Sequence, residues 1–372
     1  MKYWYISVGI SIAIVAIGIL AIPILNNLPK PLTTSELHPL KTIDLSPHLI
    51  PVGITYNSYD GNVYVANSAD HTISVIDSNR HKIIDNIILA KRSDDLVFSG
   101  PLGLVFDPDN QSVYAAGAPY GMVSVVDVET NVTNTIDIGG HLSWITINLK
   151  GEEVYVVDSD AKSIYVISTK INKIIDTIST GGRPWSIAYN PDDGNLYATI
   201  IDSGYVQVID GKTHITDVIK LGDREDPRFV AFDSNNGRAY VTCGSGKVFV
   251  IDTNSRKVIG EIDIPDLPYG DYRDKTGELV VYDNYSDVMQ STRQKIGSSP
   301  ADIVFNPDNG YMYVVDYGVG VLSVIDTKSM TVVDHIATIP STYGIVYNQN
   351  DNIIYLSNEE FNSVSLIPTG AP

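Results

Sequence analysis

Chemically distinctive side chains gather at one position of a pattern that the chain repeats. The pattern is Pro-x-x-Ile-x-aromatic, as in Pro184–Tyr189 and Pro300–Phe305. Two copies continue after the proline with Val52-Gly53 and Leu102-Gly103. At or just before that position, the other copies carry His141, Trp144, Arg183, Trp185, Arg228, Asp302 and Tyr343. A mixed aromatic and arginine rim suits a sugar, an organic anion or a peptide, so these seven residues are the predicted ligand-binding site.

No local catalytic motif accompanies these residues. The chain lacks a Gly-x-Ser-x-Gly elbow, a His-Glu-x-x-His pair and a phosphate-binding loop. Its histidines are far apart, and His71, His81, His214 and His335 fall in predicted turns or outer strands, where we expect solvated surface. The single cysteine, Cys243, is expected to be buried and inert. It excludes an intrachain disulfide, a Cys-based metal or cluster site and a haem-attachment motif. We therefore predict no catalytic residue, no metal ligand and no cofactor.

Three further apolar segments follow each copy of the pattern. A buried-strand signature aligns on a tyrosine in every copy: Tyr64, Tyr114, Tyr155, Tyr197, Tyr240, Tyr313 and Tyr355. Ten to thirteen residues later comes Val-Ile-Asp or a variant of it, and then a Lys-x-Ile-x-x-Ile element. Short Val-, Ile- and Tyr-rich segments between Asn, Asp, Gly and Ser clusters are antiparallel strands. The turns Asn190–Gly194 and Asn306–Gly310 fit a type I turn closed by a left-handed residue.

Seven units of about forty residues, each with four strands, predict an all-β fold, a seven-bladed β-propeller. The seventh unit ends after its third strand. Its missing fourth strand matches Lys41–Leu45, which lies ten residues before Pro51 as the equivalent strands precede their prolines. We therefore expect residues 41–370 to form one propeller whose N-terminal strand completes the last blade and removes the open edge. The predicted binding residues then surround the central channel. The alternative is that Trp144 and Trp185 only plug the channel, with the charged residues facing solvent.

The N-terminus predicts a membrane anchor. Ile6–Leu25 contains no charged residue, and twenty helical residues span about 30 Å, the thickness of the hydrocarbon core. Residues 1–25 are expected to be an uncleaved signal anchor rather than a cleaved signal peptide, because no convincing cleavage site follows. Residues 26–40 form a Pro-rich linker. The propeller would then lie outside the cytoplasm, where the sequons at Asn110, Asn131 and Asn284 could carry glycans.

Charge and loop length narrow the choice of partners. The formal charge of −19 disfavours nucleic acid, whose phosphates need a basic surface. Two long connections, Ala90–Gly100 and the insertion Asp266–Ser299, leave the channel face, and loops of this length are usually functional. The insertion carries five aspartates, which suit Ca²⁺. It lacks the Asp-x-Asp-x-Asp-Gly spacing, so we favour a flap that binds a partner.

The repeat text resembles a known family. Tyr64-Val65-Ala66-Asn67 with Val75-Ile76-Asp77, and Tyr240-Val241-Thr242-Cys243 with Val250-Ile251-Asp252, are similar to the YVTN-repeat β-propellers, although the tetrapeptide YVTN itself never occurs. The resemblance covers about residues 41–370. It implies a secreted or surface-layer protein and leaves the chemistry open, because related propellers include lactone-hydrolysing enzymes, lyases and binding scaffolds.

Two functions are compatible with this sequence. The favoured one is a membrane-anchored surface module that binds an extracellular protein, a glycan or a small organic ligand. The alternative is an extracellular lactonase-like hydrolase or lyase with its site over the channel. Convergence of His141, Arg183, Arg228 and Asp302 on one point would favour the enzyme, and an aromatic plug would favour binding.

Overall fold

The computed structural model describes residues 41–89, 100–117, 121–223, 225–265, 299–317, 320–339 and 341–370. Among these residues no helix is long and apolar enough to cross a membrane. The predicted anchor at 1–25 and the linker at 26–40 lie outside the described residues, as do the connection at 90–99 and residues 266–298 of the insertion.

Twenty-eight strands form seven four-stranded antiparallel sheets, which confirms the predicted propeller. The first strand, β1 (Lys41–Asp44), belongs to the last blade. Blades one to three contain β2 (Pro51–Tyr56), β3 (Asn62–Asn67), β4 (Thr72–Asp77), β5 (Lys82–Ile88), β6 (Pro101–Asp107), β7 (Ser112–Gly117), β8 (Met122–Asp127), β9 (Thr133–Asp137), β10 (Leu142–Asn148), β11 (Glu153–Asp158), β12 (Ser163–Ser168) and β13 (Lys173–Ser179).

The remaining four blades follow the same order along the chain. Blades four and five contain β14 (Pro184–Asn190), β15 (Asn195–Ile200), β16 (Tyr205–Asp210), β17 (Thr216–Lys220), β18 (Pro227–Asp233), β19 (Arg238–Cys243), β20 (Lys247–Asp252) and β21 (Lys257–Asp263). Blades six and seven contain β22 (Pro300–Asn306), β23 (Tyr311–Asp316), β24 (Val321–Asp326), β25 (Thr331–Ala337), β26 (Thr342–Asn348), β27 (Ile353–Asn358) and β28 (Ser363–Pro368). A 3₁₀ turn, Glu359–Phe361, follows β27.

The N-terminal strand closes the ring as predicted. β1 pairs antiparallel with β28, placing Lys41 opposite Leu366 and Asp44 opposite Ser363. Ile43 and Leu45 are buried there. The last blade therefore has its fourth strand, and no blade is left with three.

The seven aligned tyrosines occupy one buried slot between neighbouring blades, each at most 2% exposed. Burial of this many aromatic rings gives each blade interface a large apolar contact. The turns also agree with prediction, because Gly194 and Gly310 both have φ of +73°. Their amides donate to Asn190 O and Asn306 O at 2.9 Å.

Candidate functional site

The innermost strand of every blade begins at the same end of the channel. At that end, the residue two positions after the pattern's proline differs from blade to blade. Gly53 and Gly344 are required by packing, because a Cβ would lie 2.1 Å from Leu102 O and 2.3 Å from Val52 O respectively. In four other blades the same position carries Trp144, Ser186, Phe229 and Asp302. Where the position is Gly53 or Gly344, the backbones of neighbouring blades pack directly against each other. In the four blades named above, a side chain occupies this position.

Hydroxyl groups of neighbouring blades fix the backbone at this end of the channel. From second strands, Thr199 Oγ1 donates to Arg228 O at 2.7 Å, and Thr242 Oγ1 donates to Ala301 O at 2.7 Å. From the first strand β10, Ser143 Oγ donates to Trp185 O at 2.9 Å. Each bond joins two neighbouring blades at, or next to, a residue of the predicted site, so the scaffold holds that site in place.

Aromatic rings fill the centre of the same end. The Phe229 ring lies 4.8 Å from Trp144 and 6.0 Å from Tyr343, and Tyr317 lies 5.8 Å from Tyr343 (centroid distances). The interplanar angles of 79°, 83° and 81° are the edge-to-face geometry that aromatic pairs prefer. Trp144 therefore belongs to an aromatic plug, one of the two outcomes considered from the sequence.

A cavity of about 530 Å³ lies beside this plug. Its walls are Trp185, Ile201, Asp226, Arg228, Phe229, Ser299, Ala301, Tyr317, Tyr343 and Glu359. This volume is within the usual range for small-molecule sites, and the lining combines aromatic walls with a few charged groups.

Arg228 is held by its neighbours in one wall. Its Nη1 donates to Ser299 Oγ at 2.8 Å, and its Nε lies 3.5 Å from Asp226 Oδ2. The Arg228 side chain is 30% exposed, so it still faces the cavity. Its charge is already balanced by a carboxylate on the same wall.

Glu359 lies in another wall, in the 3₁₀ turn after β27. Its amide donates to Ser341 O at 2.9 Å, and Tyr317 Oη donates to its Oε2 at 2.9 Å. Burial raises the pKa of Glu359 above its ordinary value. Burial, together with the nearby carboxylate of Glu359, also raises the pKa of Tyr317 to about 12.

Asp302 lies behind Tyr343, on the innermost strand of the sixth blade. Its Oδ1 accepts from Ile303 N at 2.9 Å, and its Oδ2 accepts from Ile345 N of the next blade at 3.3 Å. Burial raises the pKa of Asp302 to about 7, because these two amide bonds only partly offset the loss of water.

The structure brings together some of the predicted site residues and not others. Trp185, Arg228 and Tyr343 line the cavity, and Trp144 and Asp302 lie behind its wall. His141 and Arg183 are not among the lining residues. The amide of His141 donates to Asp158 Oδ1 at 3.3 Å, and Arg183 is exposed with its amide bonded to Asp202 Oδ1. The four residues proposed to mark an enzyme therefore do not converge in one cavity.

The sequence analysis missed Tyr317 and Glu359. Both directly follow a second strand, β23 and β27, and Ile201 occupies the same position after β15. Because first and second strands are antiparallel, the residues that enter the first and leave the second meet at one end. The repeats differ at that exit too, with Ser68, Ser159 and Gly244 in other blades, so comparing both positions would have found these residues.

Comparison with known proteins supports the fold. No protein-family model matches the chain. An uncharacterized protein, YncE of Salmonella typhimurium, is 26% identical over 266 residues, which cover 69% of this chain and 74% of that protein. Antigen Lp49 of Leptospira interrogans is 22% identical over 314 residues, 80% of this chain and 62% of the antigen. A hydrazine synthase chain of Kuenenia stuttgartiensis superposes with a TM-score of 0.71 at 19% identity, covering 88% of this chain and 97% of that one.

These similarities show a seven-bladed propeller with weak homology to YncE-like proteins. The likeness to the hydrazine synthase concerns the fold alone, since propellers of one architecture host unrelated chemistries.

The predicted sequons lie in different surroundings. The Asn110 amide donates to Tyr114 Oη at 3.0 Å and so serves the buried tyrosine of its own blade. Asn131 is exposed, and its amide donates to Asp85 Oδ2 at 2.6 Å. Asn284 and all five aspartates of the insertion lie outside the described residues.

The expectation that the outer histidines are solvated was wrong, because none of the four is exposed: His71 is buried, and His81, His214 and His335 are partly buried. His71 is only 7% exposed. The His214 side chain is 16% exposed, because it sits between two blades with Nδ1 2.7 Å from Asp176 Oδ2 and Nε2 3.0 Å from Tyr155 Oη. Cys243 is buried as predicted, and burial raises the pKa of its thiol. Within the described part of the chain, no three His, Cys, Asp or Glu side chains form a group that could hold a metal ion.

Proposed function

We propose that the protein is a membrane-anchored, extracytoplasmic binding module that takes a small organic ligand into the cavity at the channel mouth. The observation that carries this proposal is the cavity itself. Its walls come from the positions where the seven blades differ, while the aligned positions elsewhere repeat. A larger partner, such as a glycan or a protein, would bind by inserting one sugar or one side chain there.

The location outside the cytoplasm rests on the sequence of the anchor. Ile6–Leu25 is uncharged and long enough to span a bilayer. Membership of the YVTN-repeat family, which the motif at Tyr64–Asn67 suggests, agrees with a surface location. A reporter fused after Pro372 that is active only outside the cytoplasm tests this assignment. If a reporter that is active only in the cytoplasm were active when fused at the same position, the assignment would be contradicted.

Binding is tested by screening the purified full-length chain against sugars, carboxylates and amines with ligand-observed NMR. For any compound that binds, Trp185→Ala is expected to weaken affinity roughly tenfold or more, because this aromatic side chain lines the cavity. Tyr59→Ala is the control, since Tyr59 is a 53% exposed aromatic residue outside the cavity. Equal losses in Tyr59→Ala and Trp185→Ala would contradict the proposed site.

A hydrolase or lyase is the second candidate, and Asp302 is the observation that favours it. A carboxyl group with its pKa raised to about 7 is suited to general acid–base catalysis near neutral pH. Asp302 lies behind the cavity wall, with its two oxygens bonded to the Ile303 and Ile345 amides, so the enzyme is the weaker candidate. Turnover of a lactone that Asp302→Asn abolishes while ligand binding persists would establish this function. Binding without turnover in the wild type would reject it.

A further inference from the structure

The charges around the cavity are not balanced. Two carboxylates, those of Asp226 and Glu359, lie in the walls against one guanidinium, and the carboxyl group of Asp302, whose pKa is raised to about 7, lies directly behind them. Arg228 is paired with Asp226 on the same wall. Among the described residues, no cation lies close enough to affect the pKa of either Asp302 or Glu359.

Tyr343 lies between these two carboxyl groups. After burial, the nearby carboxyl groups of Asp302 and Glu359 raise the pKa of Tyr343, and Arg228 partly opposes them. Of the charged groups that line this end of the cavity, Glu359 is the one that no cation balances within the described residues. The arginine that suggested an anionic ligand in the sequence is the group already neutralised in the structure.

The remaining walls are aromatic. Trp185, Phe229, Tyr317 and Tyr343 contribute rings to the cavity, and the Tyr343 ring is nearly perpendicular to those of Phe229 and Tyr317. Aromatic rings in the walls of a cavity attract quaternary ammonium groups through cation–π interaction. A carboxylate beside the rings adds direct charge pairing.

We infer that the ligand of this cavity carries an organic ammonium group, which lies against Tyr317 and Tyr343 and faces the carboxylate of Glu359. This inference rests on the proposed binding function and names the chemistry of its ligand. An anionic ligand would meet the carboxylate of Glu359, which no cation balances within the described residues. A neutral ligand would leave this partly buried carboxylate without a countercharge, which costs free energy.

The test uses three compounds of the same shape and different charge. Choline, its neutral analogue 3,3-dimethylbutan-1-ol and the anion 3,3-dimethylbutanoate are titrated calorimetrically into the full-length chain in detergent. We expect saturable choline binding at least roughly tenfold tighter than binding of the neutral analogue, since cation–π and charge pairing act on choline alone.

The matched variants are Glu359→Gln and Glu360→Gln, neighbours in one 3₁₀ turn. Glutamine retains an oxygen that can accept from Tyr317 Oη, so the fold is expected to persist, and circular dichroism checks this. Glu359→Gln should weaken choline about tenfold and leave the neutral analogue unchanged. Glu360 is exposed, and its variant should bind choline as the wild type does.

Each other outcome contradicts a defined part of the account. If the anion or the neutral analogue binds as tightly as choline, the inferred positive charge of the ligand is wrong, but the cavity is still a binding site. If choline binding is the same in both variants, the cation binds elsewhere and the inference is wrong. If none of the three compounds binds, both the inference and the proposed small-ligand site fail.

Discussion

At the scale of single residues, one tyrosine performs the same structural task in every blade. Tyr64, Tyr197 and Tyr355 donate to an aspartate four residues earlier, at 2.7, 2.7 and 2.6 Å. In two other blades an asparagine at that position donates to the tyrosine instead, from Asn110 and Asn309. In the other two blades, Tyr155 donates to Glu153 and Tyr240 to Thr327 O. In every blade the ring fills the core and the hydroxyl is hydrogen-bonded at its edge, so packing explains the repeated tyrosine.

Removing one such hydroxyl should cost little and removing the ring should cost much. We expect Tyr197→Phe to lower the free energy of unfolding by about 1–2 kcal/mol, the usual loss for a hydrogen bond to a charged group. Tyr197→Ala should lower it by about 3–5 kcal/mol through the cavity it leaves. Urea unfolding measures both. Tyr59→Phe is the control, since Tyr59 is 53% exposed. Equal losses for Tyr197→Phe and Tyr197→Ala would contradict this packing role.

Asp302 should make stability fall as pH rises. Burial raises its folded pKa from 3.8 to about 7, so the native state holds a proton that the unfolded state releases between those values. We expect the unfolding free energy of Asp302→Asn, relative to wild type, to increase between about pH 4 and pH 7 and to level off above that. Urea unfolding across this range measures the difference, and a difference independent of pH would show that Asp302 is not desolvated.

Prediction at this scale succeeded where the repeat itself supplied the comparison. The tyrosine slot follows from alignment of the copies, and Trp185, Arg228 and Tyr343 follow from divergence at one aligned position. Glu359 did not follow, because its place in the cavity wall depends on the turn after β27 lying beside Ser341 and Tyr317. The ion pair between Arg228 and Asp226 could not be predicted from the sequence either, because it depends on the direction in which each side chain points.

At the scale of elements, the turn between the third and fourth strands connects blades two, four and five to the blade before each of them. This turn contains a residue with positive φ, such as Asn131, His214 or Arg256. Those three side chains contact an aspartate on the fourth strand of the preceding blade: Asp85, Asp176 and Asp217 respectively. The three turn residues have different side chains but occupy the same position in the blade. The sequence alone did not reveal these contacts, because they require the register between blades.

The His214 contact should contribute measurable coupling between blades three and four. His214 Nε2 also forms a hydrogen bond with Tyr155 Oη at 3.0 Å. His214→Ala therefore removes two contacts, one with Asp176 and one with Tyr155. We expect His214→Ala to lower the free energy of unfolding by about 1–2 kcal/mol. A double-mutant cycle with Asp176→Ala should give a coupling of about 0.5–1 kcal/mol. Strict additivity of the two losses would mean that the pair makes no net contribution.

At the scale of the whole molecule, closure depends on two ends of the chain that are over three hundred residues apart in sequence. β1 supplies the outer strand that the last blade lacks, and Ile43, Leu45, Val364 and Leu366 share one buried cluster with residues of the first blade. This closure and the number of blades were predicted from the sequence, because both follow from counting repeats. The cavity was not, because it arises from which particular blades face each other across the channel.

The closing pair can be tested by a disulfide. Thr42 lies directly opposite Ser365, and directly paired residues of antiparallel strands have Cα atoms about 4.5–5.5 Å apart, within disulfide range. We expect Thr42→Cys with Ser365→Cys to crosslink under mild oxidation, and the buried Cys243 to remain reduced. Thr42→Cys with Ser363→Cys, offset by two residues, should not crosslink. Equal crosslinking in both double variants would contradict the register.

Hydrogen exchange of the full-length chain, with and without saturating choline, tests the central claim that binding occurs where the blades differ. The account predicts slower exchange confined to the starts of the innermost strands near Trp185, Phe229 and Tyr343 and to the turn at Glu359. Slower exchange on the outer strands, with none at the channel mouth, would contradict it.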